Sequence, residues 1–446
     1  MSGPAHSART ALRVLRGEGA RSAVARTLDR LDEWRDARRP AAAAPGALGR
    51  ADVLDVLAMP AAARLGGVPL QLRDRLRHES RERATVLLAP DGAAFRLEHR
   101  AGGARRRLSW PAARPGGPVL EDPAFEAAVA RGLAESGARL LHFEGVAGVP
   151  PASALRAAAA GRLVVSVHDL APFCPRPHLW EATASRFCGF STDENRCHAC
   201  LARDFALPRG FERSWRAAMA DLLARADAIV FPSPEIQGLL RAVLPSLDLS
   251  RQHVIAPGIE PVPVDPRPPG GVVRHAALVG AATAAKGALL LPGIARAVSD
   301  VLRISALGGG EVEVVRAMRA EPRVEVGGYY RAGTLPRLLR ARAVDVALLL
   351  SLVPESHGLT LDECWRAGVP VVAFDHGALA GRVRRHGGGV LVPLAAGPSG
   401  VAAALRELVS GARPVPAVPG AEALSTPAAA AAAHVALYRR LVECGP

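Results

Sequence analysis

Two glutamates in the C-terminal half of the chain have a type and spacing that fit the binding of a polar ligand. Glu355 and Glu363 are separated by seven residues. The apolar run from Val344 to Leu350 predicts a buried strand, residues 351–358 predict a loop, and a helix pattern begins near Leu359. Carboxylates placed in a loop and on the helix after it can accept hydrogen bonds from sugar hydroxyls.

The elements around these glutamates predict a parallel sheet. The helix ends at Gly368 and Pro370, and Val369 to Phe374 predicts the next strand. Strand, loop, helix and strand in this order form a βαβ unit, and such sheets bind ligands beyond the carboxyl ends of their strands. The NH groups of a helix N-terminus form an anion site there, suited to the phosphates of a nucleotide. The residues of this loop and helix start that we expect to bind the ligand are His357, Gly358, Leu359 and Thr360.

The segment PESHGLTLDECWRAGVPVVAF resembles the Glu-x7-Glu region of the retaining family-4 (group 1) glycosyltransferases of the GT-B fold, of the bacterial surface-polysaccharide type. Two glutamates alone also fit two solvated carboxylates at a helix end, and the strand, loop and helix around them favour a site. The resemblance implies that Glu363 holds a ribose. It implies that Glu355 holds sugar hydroxyls and takes part in catalysis.

The resemblance implies an α/β chain of the GT-B fold, with two Rossmann-like domains facing a cleft and a cysteine-rich insert in the first. The expected parts are a helical extension and linker over 1–48, an acceptor domain over 49–265 with its insert at 168–205, a donor domain over 266–425, and a C-terminal helix over 426–446 that returns to the first domain.

The activity that the resemblance implies is that of a hexosyltransferase. A sugar would pass from a UDP-, GDP- or dTDP-sugar to a hydroxyl of a carbohydrate or lipid-linked acceptor, with retention of anomeric configuration and without a catalytic metal. The setting would be surface-polysaccharide or glycoconjugate synthesis. Two alternatives stay open: a degenerate transferase that acts as a non-catalytic scaffold, and a phosphorylase or epimerase on the same fold.

Lys286 is the single lysine of the chain. It follows a predicted strand over 275–280 and is expected to open a helix. The turn resembles the family's phosphate-binding G-R-…-K-G turn, although Ala281 stands where the arginine would follow Gly280. Lys286 is therefore expected to stabilise the departing diphosphate in catalysis, because a leaving group that gains negative charge needs positioned cations. Gly280 and Gly308, each at the end of a predicted strand, are expected to bind the donor.

The first domain carries two further candidates at predicted strand ends. Gly66 and Gly67 follow the strand over 53–58 and would let the backbone approach a donor closely, although a tight turn explains them equally. His168 follows the strand over 163–167. The resemblance implies that this histidine approaches the donor sugar as a catalytic residue, and the alternative is a histidine hydrogen-bonded to backbone.

Four of the six cysteines lie within a short stretch that ends in a C-x2-C pair. Clustered thiols in a reducing compartment favour a closed, structural zinc site. The expected ligands are Cys174, Cys188, Cys197 and Cys200. His178 and His198 are alternative ligands, and the other interpretations are packed free thiols or an iron–sulfur cluster. A few bacterial members of the resembled family carry a similar insert.

Composition limits the partners and the compartment. The net charge of +14 favours anionic partners, whereas 4% aromatic residues and scattered arginines argue against nucleic acid. No apolar run reaches the length of a membrane span, and the N-terminus lacks the apolar core of a signal peptide. We therefore expect a bacterial cytoplasmic protein. Basic amphipathic helices over residues 1–40 fit either a helical extension packed on the first domain or peripheral contact with the cytoplasmic face of the inner membrane.

Overall fold

The computed structural model describes most of the chain beyond residue 50. The described residues are 24–28, 31, 51–59, 67–101, 104–112, 116–159, 161–245, 248–262 and 271–443. Of the predicted N-terminal extension, residues 24–28 and 31 are helical, and the rest lies outside the described residues.

The chain divides into two compact units. The unit that contains the first strand, called the amino unit here, comprises Asp36–Glu181, Cys188–Gly258 and Thr426–Pro446. The other, called the carboxyl unit, comprises Met1–Arg35, Ala182–Phe187 and Ile259–Ser425. Each unit is built on one main sheet.

Ten strands are described up to residue 254: β1 (Val53–Val56), β2 (Thr85–Pro90), β3 (Ala94–Ala101), β4 (Ala104–Pro111), β5 (Leu140–Glu144), β6 (Arg162–Ser166), β7 (Trp180–Glu181), β8 (Arg186–Phe187), β9 (Ala228–Phe231) and β10 (Gln252–Val254). The sheet of the amino unit has the order β10-β9-β6-β5-β1-β2-β3-β4. From β10 to β2 the strands are parallel, and β3 and β4 extend the sheet antiparallel. β7 and β8 form a separate ribbon.

Helices lie between the parallel strands of the amino unit: α1 (Gly67–Glu79), α2 (Pro123–Ser136), α3 (Pro151–Ala157), α4 (Glu194–Phe205), α5 (Phe211–Arg225) and α6 (Pro234–Val243). Local sequence defines their ends. Asp122 caps α2 by accepting the NH groups of Ala124 and Phe125, and Gly137 ends it in the left-handed region with φ 66°.

The carboxyl unit has six strands in the part of the chain described: β11 (His275–Val279), β12 (Arg303–Leu307), β13 (Val324–Gly328), β14 (Val346–Leu349), β15 (Val371–Phe374) and β16 (Gly389–Val392). All of their pairings are parallel, in the order β13-β12-β11-β14-β15-β16. Apolar clusters cover both faces of this sheet, as a parallel sheet with helices on each side requires.

Beyond residue 290, the α-helices of the carboxyl unit are α7 (Leu291–Val298), α8 (Val312–Arg319), α9 (Leu335–Ala341), α10 (Leu359–Arg366), α11 (Gly377–His386) and α12 (Gly397–Ser410). The last helix, α13 (Pro427–Glu443), belongs to the amino unit and packs on α1. The strand, loop, helix and strand predicted over 344–374 are confirmed as β14, α10 and β15.

One predicted helix start is wrong. Lys286 lies in a turn followed by the short 3₁₀ helix Ala288–Leu290, and α7 begins at Leu291. The physical reason is Gly287, whose φ of 73° lies in the left-handed region. A Cβ there would approach the Leu350 carbonyl oxygen to 2.0 Å, so the turn is pressed against the end of β14.

Candidate functional site

Two of the predicted glycines lie in contact at the carboxyl ends of β11 and β12. The Gly280 NH donates to the Leu307 carbonyl at 3.1 Å. Gly308 has a φ of 147°, and a Cβ on it would lie 1.7 Å from the Gly280 carbonyl oxygen. No side chain fits between these loops, so they present bare backbone at the strand ends, where sheets of this kind bind ligands.

Lys286 and Glu355 come together at the same edge of the sheet. The Ala285 carbonyl accepts the Leu352 NH at 2.8 Å, which joins the turn after β11 to the loop after β14. The Lys286 ammonium forms an ion pair with the Glu355 carboxylate. Their side chains are 37% and 18% exposed, so both reach solvent. The structure thus joins a cation and a hydrogen-bond acceptor that lie far apart in the sequence.

The loop that carries Glu355 leads directly into the N-terminus of α10. Gly358 precedes the helix with φ 86°, and a Cβ on it would meet the Leu379 side chain at 2.4 Å. Within the described residues, no side chain caps this helix end, so the NH groups of the first turn, at Leu359 and Thr360, are suited to an anion. Thr360 lies close to Gly280, because a Cβ on that glycine would be 3.5 Å from the threonine hydroxyl.

Glu363 is half-buried on α10, one turn after Leu359. Burial, followed by the charge of Asp362, raises the pKa of Glu363 to about 7, although the Gly333 NH donates to the carboxylate and lowers it. The site therefore holds a carboxyl group that changes charge near neutral pH and has few partners of its own. A ligand that offers hydroxyl donors would favour its charged form.

The Glu363→Gln variant should become more stable than the wild type, by an increasing margin, as the pH rises from about 4.5 to about 7. A carboxyl with a raised pKa stabilises the folded state below its unfolded pKa, and this contribution is lost as the pH rises through the folded pKa. We expect the variant to gain about 3 kcal/mol over the wild type at a pH of about 8, because each pH unit between the unfolded and folded pKa is worth about 1.4 kcal/mol. Urea unfolding at pH values of about 4 and 8 measures this, with exposed Glu313→Gln as the control. Equal stabilities at both pH values would contradict the account.

His357 belongs to a buried triad with Asp362 and Arg382. Its Nε2 atom lies 3.1 Å from an Asp362 carboxylate oxygen, and Arg382 forms an ion pair with the same carboxylate. Burial alone would raise the pKa of Asp362, but the hydrogen bond with His357 and the charge of Arg382 outweigh it and lower the pKa. Arg382 also donates to the carbonyls of His357 and Gly358 at 3.3 and 3.5 Å. The triad therefore fixes the backbone that leads into α10.

Sequence reasoning missed Asp362 and Arg382 as parts of this site. Asp362 looked like an ordinary acidic residue in the first turn of a helix. Arg382 is one of many arginines, and no spacing rule joins it to a residue twenty positions earlier. The only available signal was that Asp362 directly follows the apolar Leu361 in the first turn of the predicted helix.

In the amino unit, His168 follows β6 and lies against α1. Its Nδ1 atom is 3.2 Å from the Gln71 side-chain nitrogen, and a Cβ on Gly145 would meet its ring at 3.5 Å. The next residue, Asp169, accepts the Ala171 NH at 2.9 Å, and burial raises its pKa to about 6. Gly67 is the first residue of α1. Gly66 lies outside the described residues.

The four predicted zinc ligands line one small cavity of about 30 Å³ in the amino unit. All four are free cysteines. Neither His178 nor His198 is among the residues that line this cavity. Burial raises the pKa of the Cys174 thiol to about 12 and also raises that of Cys197, so neither is a nucleophile at neutral pH.

A second group with the composition of a metal site lies in the core of the amino unit. Ligand atoms of Asp55, His142 and Glu144 are all within 4.8 Å of one another. However, the Arg75 guanidinium contacts both carboxylates, at 3.2 Å from Asp55 and 2.5 Å from Glu144. The Nε2 atom of His142 forms a hydrogen bond with the Ser166 hydroxyl at 2.8 Å. An internal cation thus already balances these carboxylates, and we assign no metal there.

Comparison with known proteins gives a family match within the carboxyl unit. Residues 274–411 match the family model described as glycosyl transferases group 1, which is less than half of the chain. No curated protein matches the sequence. None of the helices in the described part of the chain combines the length and hydrophobicity that a membrane span needs.

Several solved structures share the fold. Sucrose-phosphate synthase from Thermosynechococcus elongatus superposes with a TM-score of 0.57 at 18% identity, covering 88% of this chain and 100% of that chain. HepE from Anabaena, solved in complex with UDP-glucose, gives 0.53 at 15% identity, with 88% and 98% covered. Trehalose 6-phosphate synthase from Burkholderia multivorans gives 0.55 at 11% identity, with 88% and 97% covered. The family match and the shared α/β fold with parallel sheets support a glycosyltransferase of the GT-B type.

Proposed function

We propose that the protein is a retaining hexosyltransferase that moves a sugar from a nucleotide-sugar to an acceptor hydroxyl. The observation that carries this proposal is the Lys286–Glu355 ion pair beside the uncapped N-terminus of α10. It places a cation, a carboxylate and free backbone NH groups at one edge of a parallel sheet. These groups are complementary to a diphosphate joined to a sugar.

Transfer requires stabilisation of the nucleoside diphosphate as it leaves. Negative charge grows on its oxygens when the bond to the sugar breaks, and donors already in place stabilise that charge without reorganisation. We assign this role to the Lys286 ammonium and the NH groups of Leu359 and Thr360, with no metal in the step. The ammonium has three donors, so it can hold a phosphate oxygen while it keeps Glu355 oriented.

The two glutamates then take different parts of the donor. Glu355 lies beside the ammonium and is placed to accept hydrogen bonds from the transferred sugar. Glu363 lies deeper on α10 and accepts from the ribose hydroxyls. Because those hydroxyls favour the charged carboxylate, donor affinity should rise as the pH increases through about 7, the pKa of Glu363.

The donor class has partial support. The Anabaena relative was solved with UDP-glucose, so a UDP-sugar is the first donor to test, with GDP- and dTDP-sugars beside it. The net charge of +14 favours anionic donors. We propose a carbohydrate or lipid-linked acceptor and a role in bacterial surface-polysaccharide or glycoconjugate synthesis in the cytoplasm. The resemblance of the segment around Glu355 is the basis for these finer assignments.

A donor screen tests the proposal. The purified chain is heated with each nucleotide-sugar, and a bound donor should raise the melting temperature by mass action. The stabilising donor is then incubated with candidate acceptors, and NMR should show a product with the anomeric configuration of the donor. A product with the opposite anomeric configuration would contradict the proposed retention. Donor binding without transfer or hydrolysis would favour the non-catalytic scaffold, and a screen in which no donor binds would overturn the proposal.

A further inference from the structure

We propose a structural zinc site in the amino unit whose ligands are the thiolates of Cys174, Cys188, Cys197 and Cys200. This inference is independent of the proposed transfer reaction. Its first basis is the position of the four thiols. They come from two loops and from α4, and all of them line the same cavity. Cys197 and Cys200 are three positions apart on α4 and therefore share one helix face.

The cavity is large enough for a single ion. Its volume is about 30 Å³, whereas a site needs only about 10–15 Å³ to hold one water-sized species. Zinc bound by four thiolates is tetrahedral with Zn–S bonds of about 2.3 Å. Among the described residues, no three of these sulfur atoms lie within 4.8 Å of one another. Binding must therefore draw the four partly exposed side chains together.

The charge around the thiols is complementary to such a site. Four thiolates and one Zn²⁺ carry a net charge of −2. The Arg216 guanidinium lies 3.9 Å from the Cys197 sulfur and donates to the carbonyls of Phe173 and Ser191 at 2.9 and 3.0 Å. No carboxylate pairs with Arg216 among the described residues. Arg176, Arg196 and Arg216 all line the cavity, with Glu181 as the one carboxylate among its described lining residues, so positive charge predominates, as suits an anionic metal–thiolate centre.

The segment from Cys188 to Cys200 also has no hydrophobic core of its own. From Cys188 to Cys200 no residue is buried, although every one of them is described. Phe190 adopts a positive φ of 58°, and Leu179 and Ala206 on either side adopt 51° and 54°. Such conformations are unfavourable for residues with a Cβ. A segment without a hydrophobic core needs another stabilising interaction to stay ordered, and a bound metal provides one in many small domains.

The site adjoins the loop that carries His168. The Trp215 indole donates to the Ala171 carbonyl at 2.7 Å, and Arg216 stacks on the Phe173 ring at 3.9 Å. Helix α5 therefore holds the loop after β6 on one side and the cysteine segment on the other. Zinc would fix this segment without contributing to the binding of a nucleotide in the carboxyl unit.

Metal analysis of the purified full-length chain tests the proposal. We expect one zinc per chain, and after exchange with Co²⁺ alone, the absorption of a tetrahedral cobalt–thiolate centre. Cys197→Ala with Cys200→Ala should lose the metal. The matched control, Cys364→Ala, removes a buried thiol of the carboxyl unit and should retain it.

Alkylation of the wild type keeps the test decisive if the double variant fails to fold. The four cysteines should resist alkylation as purified and react after treatment with a chelator, as mass spectrometry would show residue by residue. Hydrogen exchange should increase over residues 174–205 at the same time and stay unchanged in α10. A folded chain without zinc, an iron–sulfur absorbance, or equal zinc in the Cys197/Cys200 variant would each overturn the assignment.

Discussion

Replacing Lys286 by alanine is expected to lower the rate of sugar transfer by about 100-fold or more. The loss of one positioned group that stabilises developing charge typically has an effect of this size. The fold should survive, because the ion pair with Glu355 is partly exposed, at 37% and 18%, and such pairs contribute about 1 kcal/mol or less. Steady-state kinetics with the donor found by screening, and urea unfolding, measure the two effects separately.

Two further variants sharpen the Lys286 prediction. Lys286→Arg should recover only part of the rate, because a planar, forked guanidinium cannot occupy the position of a compact ammonium. Arg316→Ala removes an exposed cation from α8 and should behave as the wild type. If Lys286→Ala kept normal turnover and normal affinity for the nucleoside diphosphate, the role assigned to this lysine would be wrong.

Replacing Asp362 by alanine is expected to destabilise the carboxyl unit by about 3–5 kcal/mol. Asp362 is fully buried, and removing one partner of a buried ion pair leaves the other charge without compensation. Here the uncompensated charge would be Arg382, which also fixes the His357 and Gly358 carbonyls. Chemical denaturation followed by circular dichroism measures the loss, and donor affinity should fall as the start of α10 loosens.

A double-variant cycle separates the ion pair from the packing. Asp362→Leu combined with Arg382→Met removes both charges and keeps much of the volume, so it should cost far less than the sum of the two single changes. Additive losses would show that the two residues act independently. If Asp362→Ala left the free energy of unfolding almost unchanged, the stabilising role of the buried triad would be wrong.

The sequence predicted the elements whose signals are local. The apolar run before Ser351 and the stop at Gly368 and Pro370 predicted β14, α10 and β15 because each signal lies within the element it defines. The same stretch placed Glu355 and Glu363 at the carboxyl end of a parallel strand. The geometry of a βαβ unit leaves few other positions for them.

Features that depend on packing could not be predicted in this way. Lys286 was expected to begin a helix, yet Gly287 turns left-handed where it meets the Leu350 carbonyl, a contact between distant parts of the chain. The pairing of Lys286 with Glu355 joins two residues that lie far apart in the sequence, so no local signal predicts it. The approach of Arg382 to Asp362 likewise follows from the packing of α11 and has no periodic signal in the sequence.

The central claim is that the carboxyl unit binds the diphosphate of a nucleotide-sugar at Lys286 and the start of α10. Hydrogen–deuterium exchange with and without saturating nucleoside diphosphate tests this most directly, because it requires no knowledge of the acceptor. The account predicts slower exchange in the turns at 280–287 and 308–310 and across 355–363, with the effect reduced in Lys286→Ala. Binding that leaves these three segments unchanged and slows exchange elsewhere would contradict it.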